Sequence, residues 1–590
     1  MSFKIKGRFV ITACVLILLF VLAAPYGARE SGAAGEEAQI IPLDRIEPGM
    51  TGYGLSVWKG SRIERFEVEV IDVVPKFTND QPIILVECKG QDLEKTRIIA
   101  GMSGSPIYIE GKLAGALAYG WAFAQEPVAG ITPIEYMLEI KDRGMPQLSG
   151  LAGLDDYLSN AEKSGPRHSR PLPIATPLIT SGFSRQGMKD LEELFEPLNI
   201  VPVAGGGLGS AELDNTAAAA IEPGSAVGAA LMLGDLSMVG TGTVSYRRGN
   251  RLLAFGHPFL RGGDVSMPMT ASKIHTVIST QEISFKLASP QSVIGEVIYD
   301  HQAAISGEIG KAPPMIPLDV SIRNPDTGFS KDYSMKMADT PALVPTLIKI
   351  GLQDIIRSAV PNLEPTTVRA RSRIKLNGYG EAEFENLYAV RQRNFTMGYL
   401  EPVLFLSRNP FAEVEMEAVE MDLTIDNDLK IAAIQSVRTN TDEVEAGSTV
   451  EVVVTVKPYN VPPRDYRFQV GVPDHAGLKK LILTVAGGSR TPPDAAPPHS
   501  VEDMISFMDK VYSADSLVVY YKVPGAGVDV EGRRLDNLPP SAISMLQPSN
   551  AQASAMTGEK MYYDTKTPYV VLGTQRLKLN VVDREKKKRR

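Results

Sequence analysis

The sequence is poor in cysteine and histidine: its 590 residues contain two cysteines and six histidines. Cys14 lies in an apolar N-terminal run, so removal of that run leaves only Cys88 and excludes an internal disulfide. The histidines are dispersed without an H-x-x-x-H pair, and the cysteines do not form a close pair, so the sequence contains no metal-binding motif. Nothing indicates a nucleotide, and we expect no cofactor.

Outside its last residues the chain has no excess of positive charge. The formal net charge is −8, and the tail REKKKRR carries six basic residues and one acidic residue, which leaves −13 for the rest of the chain. This balance argues against nucleic acid as a partner. For the tail itself, a solvated end is favoured over contact with phosphate or anionic lipid.

Long hydrophobic runs are also missing, except at the N-terminus. Lys4, Lys6 and Arg8 precede the uncharged run Phe9–Ala24, which has the pattern of a secretory signal and is short for a membrane span. We therefore expect a signal peptide over residues 1–28 and export to the periplasm, the cell envelope or the medium. Cleavage is the favoured outcome, and an uncleaved N-terminus that associates with the membrane is the alternative.

The segment Gly101–Pro106, GMSGSP, lies between two apolar runs. A serine nucleophile needs a turn that directs N–H groups at the developing oxyanion, a base, and usually a third group that orients the base. Glycine at 101 permits unusual backbone conformations, so we expect the N–H groups of Gly101 and Ser103 to converge on one empty position as an oxyanion hole. The pattern G-x-S-G-x-P surrounds the nucleophile in chymotrypsin-like proteases. From these residues alone, a plain Gly-Ser turn is an equally good interpretation.

His257 is the best candidate for the base. It ends an apolar strand in LLAFGHPF, where a glycine precedes it and a proline follows it. The other histidines lie in Pro/Ser-rich connections, in the predicted sandwich or in plain surroundings: His168, His275, His301, His475 and His499. A lone histidine is usually a packed or solvent-facing residue, and the sequence leaves this alternative open.

Two stretches resemble the peptidase domain of the SpoIVB family, serine peptidases known from proteolytic signalling in bacterial spore formation. The stretches are DLEKTRIIAGMSGSPIYIEGKLAGALAYGW and GTVSYRRGNRLLAFGHPF. The resemblance covers roughly residues 39–310 and implies that Ser103 is the nucleophile and His257 the general base. A protein substrate follows from the same resemblance.

The sequence departs from the family pattern in two ways. In the sporulation protein the histidine segment comes first, whereas here Ser103 precedes His257, and no PDZ module is recognisable before the peptidase part. A site in the cleft between two barrels tolerates either order. The third group stays open: Asp92, Asp264 and Glu87 are candidates, and a backbone carbonyl is another.

We expect a mainly β fold, with a chymotrypsin-like two-barrel core in which the serine and histidine halves are swapped, followed by an immunoglobulin-like sandwich. Alternation such as that of Phe66–Val70 predicts the strands. The turns Glu110–Lys112 and Arg248–Asn250 predict hairpins that make the two halves look related. The predicted domains are the barrel half with the serine (39–143), a linker (144–173), the barrel half with the histidine (174–330), an α/β extension (331–425), the sandwich (426–490) and a C-terminal helix and strand region with the basic tail (491–590).

Together these observations predict an exported serine endopeptidase that cleaves envelope or signalling proteins. The alternative is a non-catalytic envelope binding or scaffold protein whose peptidase core has degenerated. The two hypotheses differ in whether Ser103 reacts as a nucleophile.

Overall fold

The computed structural model describes residues 39–78, 81–139, 171–209, 212–360, 365–390, 397–474, 478–523, 527–530, 533–535, 538–539, 541–542, 545, 553–556 and 559–582. The predicted signal peptide, most of the predicted linker, His168, His475 and the basic tail lie outside these residues. The described residues from Ile41 onward form one compact unit. Within the described part, no helix combines the length and apolar character needed to cross a bilayer.

The first barrel contains the serine motif. Its strands are β1 (Thr51–Val57), β2 (Ile63–Thr78), β3 (Gln81–Lys89), β4 (Pro106–Ile109), β5 (Lys112–Gly120) and β6 (Val128–Pro133), and a short strand, β7 (Leu172–Pro173), is added to β5. The six strands close in the order β1-β2-β3-β6-β5-β4, because β4 pairs with both β1 and β5. Phe66, Val68 and Val70 are buried, as their alternation predicts. The short helices α1 (Leu93–Thr96) and α2 (Ile134–Leu138) complete this region.

The second barrel contains the histidine motif and has the same strand order as the first. Two strands, β8 (Thr176–Ser181) and β9 (Ile200–Ala204), lead into β10 (Ala226–Gly234), β11 (Ser237–Arg248), β12 (Arg251–Ala254), β13 (Gly263–Ile278), β14 (Phe285–His301) and β15 (Ala304–Ile309). The last six close as β10-β11-β12-β15-β14-β13. The helices α3 (Arg185–Phe195) and α4 (Asn215–Ala219) lie in its connections. The expectation of a mainly β, two-barrel fold is therefore confirmed.

The two predicted hairpins form, but they are not equivalent positions of the two barrels. Glu110–Lys112 joins the fourth and fifth strands of the first barrel, whereas Arg248–Asn250 joins the second and third strands of the second. The two halves are similar in the order of strands around each ring. This order is set by pairing between strands far apart in the sequence, so a single turn cannot reveal it.

A further sheet extends the second barrel. Its strands are β16 (Met315–Asn324), β17 (Phe329–Ala338), β18 (Thr366–Leu376), β19 (Gly380–Val390) and β20 (Met416–Asp426), and its helices are α5 (Val344–Ala359) and α6 (Glu401–Ser407). Because β17 pairs with β10, these strands continue the sheet of the barrel. The extension therefore begins with β16, before the predicted boundary at residue 331.

Two larger sheets and one three-stranded sheet form the C-terminal part of the described chain. The strands are β21 (Ile431–Thr439), β22 (Glu443–Glu445), β23 (Thr449–Pro458), β24 (Arg464–Gly471), β25 (Lys480–Gly487), β26 (Ser516–Val523), β27 (Gly527–Val530), β28 (Arg533–Leu535), β29 (Ala553–Met556), β30 (Glu559–Lys566), β31 (Val570–Leu572) and β32 (Thr574–Val582), with helix α7 (Val501–Met508) between β25 and β26. The sheets β24-β23-β21-β31 and β22-β32-β25-β26-β30 share one apolar core that includes Val452, Phe468 and Leu483. They extend well beyond residues 426–490, and the immunoglobulin-like assignment stays a prediction.

The turn that carries Ser103 packs directly on the second barrel at Gly104. A Cβ at this position would lie 2.0 Å from the Thr243 carbonyl oxygen and 2.4 Å from the Phe255 nitrogen. Gly104 also has a φ of +90°, a conformation that favours glycine. The contact between the two barrels at this turn therefore requires a residue without a side chain.

We predict that Gly104→Ala destabilises the protein by about 3–5 kcal/mol, because it adds a steric clash between two backbones to an unfavourable φ. Gly111→Ala is the matched control, since Gly111 also has a positive φ (+78°) and a Cβ there would meet no atom within 4 Å. The control is expected to lose only about 1–2 kcal/mol. Denaturant unfolding of both variants measures the difference, and equal losses would contradict the close packing at Gly104.

Candidate active site

Contacts with both barrels hold the backbone of the Ser103 turn. Before the turn, Ala100 is bridged to β14: its N–H donates to the Ser284 carbonyl at 2.8 Å, and its carbonyl accepts from the Lys286 N–H at 3.1 Å. Gly101 then turns the chain with a φ of +93°. On the first-barrel side, the Gly104 N–H donates to the Leu117 carbonyl at 2.7 Å.

Strand β11 of the second barrel binds three carbonyl groups of the same turn. The Thr243 hydroxyl donates to the Gly101 carbonyl at 3.0 Å, and the Ser245 hydroxyl donates to the Gly104 carbonyl at 2.8 Å. Between them, the Thr243 N–H donates to the Ser103 carbonyl at 2.9 Å. Because these bonds fix the backbone on both sides of Ser103, its side chain is not needed to hold the turn.

The turn that carries His257 meets the serine turn at Leu117. Phe255 and Gly256 both have positive φ values, which reverse the chain after β12. The Thr132 hydroxyl of the first barrel donates to the Gly256 carbonyl at 2.6 Å. A Cβ at Gly256 would lie 3.1 Å from the Leu117 carbonyl oxygen, the same oxygen that accepts from Gly104. The fold thus brings the two sequence motifs to one place.

Both candidate side chains are buried, and each has one polar atom without a hydrogen-bond partner among the described residues. Ser103 is 0% exposed and its Oγ is unpaired; His257 is 1% exposed and its Nε2 is unpaired. The two atoms therefore do not hydrogen-bond to each other in this structure. Unpaired buried polar atoms are costly, and such a cost is typical of functional positions.

The hydrogen bond of His257 Nδ1 determines the state of the ring. Nδ1 lies 2.8 Å from the Pro258 carbonyl oxygen. Because a carbonyl only accepts, Nδ1 carries the hydrogen and Nε2 keeps its lone pair. The pKa of His257 is lowered to about 4, mainly by burial and also by the charge of Arg261, whereas the carbonyls of Pro258 and Ile174 oppose the shift. The ring is therefore neutral at pH 7.

None of the three candidate acids hydrogen-bonds to the His257 ring. Asp92 and Asp264 are exposed, and Glu87 forms an ion pair with Lys89 at 3.0 Å. In the described structure, the Pro258 carbonyl takes the place that an orienting carboxylate would occupy.

The N–H of Gly101 does not face an empty position as expected. It donates to the Ala175 carbonyl at 3.3 Å, so the chain itself occupies one of the two expected oxyanion donors. Next to this contact is a cavity of about 320 Å³ whose lining includes Ala100, Gly120–Ala124 and Leu172–Ala175. No local pattern in the sequence indicates that a later segment reaches this point.

Asp300 is a buried residue of the site region that the sequence interpretation missed. Its carboxylate accepts from the N–H groups of Phe259, Leu260 and Gly262 at 2.7, 2.6 and 3.1 Å. Burial raises the pKa of Asp300, and these backbone bonds oppose the shift. Asp300 thus holds the loop that follows His257. The signal in the sequence is an acid that directly follows the apolar residues Val297–Tyr299 near the end of the strand.

Lys286 is a second missed residue, and it lies under the serine turn. Its Nζ donates to Ser56 Oγ at 2.8 Å, and Ser56 Oγ lies 3.0 Å from Ser105 Oγ, which donates to the Met102 carbonyl at 2.7 Å. The stem of Lys286 passes beneath Gly101. Within the described residues no carboxylate pairs with Nζ, and burial lowers the pKa of Lys286 to about 7.

We predict that Lys286→Met flattens the pH dependence of stability. In the wild type the unfolded lysine titrates near its ordinary pKa and the folded one near 7, so between these values the unfolded state binds more protons and stability rises with pH. The rise from pH 7 to pH 10 is on the order of 2–4 kcal/mol and is absent in the variant. Urea unfolding across this range measures it. The exposed Lys273→Met is the control and keeps the wild-type slope; a persistent slope in Lys286→Met would refute the assignment.

No group of three or more histidine, cysteine, aspartate or glutamate side chains in the described ranges is arranged to hold a metal ion. Comparison with known proteins gives one family. No curated protein matches, and no solved structure matches. The family model of the SpoIVB peptidase S55 matches residues 29–138, which include the Ser103 turn and end before His257. Over residues 29–138 the chain is therefore similar to the SpoIVB peptidase S55 family, a family of serine peptidases.

Proposed function

We propose that the protein is an exported serine endopeptidase that cleaves envelope or signalling proteins with Ser103 and His257. The observation that carries the proposal is the pair of unpaired, buried polar atoms, Ser103 Oγ and His257 Nε2, on two turns that meet at Leu117. The family match over the serine segment supports the nucleophilic role of Ser103.

The chemistry assigned to the two side chains is acyl transfer. Ser103 Oγ attacks the carbonyl carbon of the scissile peptide bond while His257 Nε2 accepts the hydroxyl proton. The bond to the leaving nitrogen then breaks, and His257 returns the proton to that nitrogen. Water, activated by the same Nε2, hydrolyses the acyl-serine and regenerates the hydroxyl. The Pro258 carbonyl keeps the hydrogen of the ring on Nδ1 throughout.

The N–H groups of Gly101 and Ser103 are the assigned donors to the oxyanion. Such donors stabilise the charge that develops on the carbonyl oxygen. For Gly101 to act in this way its N–H has to exchange the Ala175 carbonyl for the substrate carbonyl. The structure therefore corresponds to a closed form of the proposed enzyme.

The second candidate function is that of a non-catalytic envelope binding or scaffold protein. The complete burial of Ser103 and the missing hydrogen bond between Ser103 and His257 favour it. Reaction with a fluorophosphonate probe separates the two functions, because the scaffold has no activated serine.

We predict that Ser103→Ala and His257→Ala each abolish labelling by a fluorophosphonate probe and reduce proteolysis on the order of 10³–10⁶-fold. Stability of Ser103→Ala should hardly change, because Oγ makes no hydrogen bond to any residue that the structure describes. The double variant should be little worse than either single one, since the two residues act as a unit. The full-length chain is labelled, and its melting temperature is measured in parallel.

Ser272→Ala is the matched control, because Ser272 is also a buried serine without a partner for its hydroxyl among the described residues. It should be labelled as well as the wild type. Labelling that survives Ser103→Ala would exclude Ser103 as the nucleophile. A wild-type chain that stays unlabelled when a control peptidase reacts would favour the scaffold.

Export is part of the proposal and has its own test. We predict that the full chain is found outside the cytoplasm, and that deletion of residues 1–28 retains it in the cytoplasm. Fractionation of cells with N-terminal sequencing of the recovered chain measures both the location and the cleavage. A full-length chain with an intact N-terminus in the cytoplasm would contradict export.

A further inference from the structure

One edge of strand β5 leads directly to the candidate site. Strand β4 covers this edge from Lys112 to Ala116. At the next residue, Leu117, the same edge pairs with the serine turn. The Leu117 N–H donates to the Ser105 carbonyl at 2.9 Å, and the Leu117 carbonyl accepts from the Gly104 N–H. From Ala118 onward the same edge is open to another extended backbone.

The chain's own segment Leu172–Ala175 fills that edge. Leu172 and Pro173 pair antiparallel with Gly120 and Tyr119. The Ile174 N–H donates to the Ala118 carbonyl at 2.8 Å, which continues the same register. The segment therefore lies as an added strand immediately beside the Ser103 turn.

Two consecutive carbonyl groups of this segment interact with the two halves of the candidate site, one with the serine turn and one with His257. The Ala175 carbonyl accepts from the Gly101 N–H at 3.3 Å. The Ile174 carbonyl interacts with the His257 ring. This interaction raises the pKa of His257, whereas burial lowers it. Ile174 and Ala175 are 5% and 6% exposed, so they share the burial of Ser103 and His257.

The segment is not required to close either barrel. The first barrel closes through the pairing of β4 with β5, and the second closes through the pairing of β10 with both β11 and β13. Strand β7 contains only two residues and is added outside the ring. Its release would thus expose the edge of β5 and the Gly101 N–H while both barrels stay intact.

We propose that the edge Ala118–Gly120 is a binding site for an extended peptide, and that Leu172–Ala175 occupies it as a tethered ligand that competes with substrate. The proposal rests on the proposed peptidase function, because the segment stands where a substrate backbone would meet Ser103. The ligand class is an extended polypeptide that makes strand-type hydrogen bonds to β5.

The contacts of Ile174 define what the site accepts. Its side chain belongs to the apolar core of the first barrel, and its Cγ1 lies 3.9 Å from where a Cβ of Gly120 would be. A competing peptide needs an apolar side chain at this position. A tethered ligand has a local concentration of about millimolar, so a weakly binding peptide cannot displace it.

A disulfide that fixes the segment on β5 tests the proposal. Gly120 and Leu172 are Cα partners, and antiparallel partners lie about 4.5–5.5 Å apart, within the span of a disulfide. We build Gly120→Cys with Leu172→Cys in a full-length chain that carries Cys14→Ser; Cys88 is buried, which raises the pKa of its thiol to about 12. The control is Thr455→Cys with Asp465→Cys, Cα partners in the C-terminal sheets.

We expect oxidation to slow fluorophosphonate labelling of Ser103 by at least about tenfold in the first variant, and reduction to restore it. The control should be labelled at the same rate in both states. If the oxidised first variant is labelled as fast as the reduced one, the tethered-ligand proposal is wrong and the peptidase proposal stands.

Hydrogen exchange tests the segment without any need for catalysis. The Ile174 and Gly101 amides should exchange at one common rate, at least about tenfold faster than the Leu117 amide on the same edge, because they open together while the barrel stays closed. Exchange of Ile174 as slow as that of Leu117 would overturn the proposal. If the segment opens but no variant is ever labelled, the peptidase proposal fails and the peptide site remains.

Discussion

The close approach of two backbones at Gly104 is the contact on which the site depends. At that point the serine turn lies against Phe255, two residues before His257, with no room for a Cβ between them. Thr243 and Ser245 then bind the carbonyls of Gly101, Ser103 and Gly104. The second barrel therefore acts as a template for a turn that belongs to the first.

The polar groups around this contact differ in whether they have hydrogen-bond partners. Nearly every backbone group of the serine turn is hydrogen-bonded. The buried carboxylate of Asp300 alone accepts three N–H groups of the loop after His257. By contrast, Ser103 Oγ, His257 Nε2 and the amine of Lys286 have few partners or none among the residues described. A backbone held by many hydrogen bonds can keep a few side-chain groups in an unfavourable state.

The sequence predicted what local patterns determine. Alternation identified the strands around Phe66–Val70, and the glycines at 101 and 104 identified a special turn, which the positive φ values bear out. It could not predict which strands close each ring, that residues up to 582 join the C-terminal sheets, or that Ala175 reaches Gly101. These features come from contacts between residues far apart in the chain. Lys286 and Asp300 were missed because their burial depends on the same contacts.

The division of the site between two barrels has a consequence for synthesis. The strands of the first barrel are complete at Pro133, whereas the ring that presents His257 is complete only at Ile309. A growing chain can therefore fold the serine turn long before its partner exists, and the backbone of Thr243 and Phe255 is not yet there to shape it. No partly synthesised or truncated chain that lacks the second ring carries an assembled site, so any activity begins only when the translating ribosome has passed both halves.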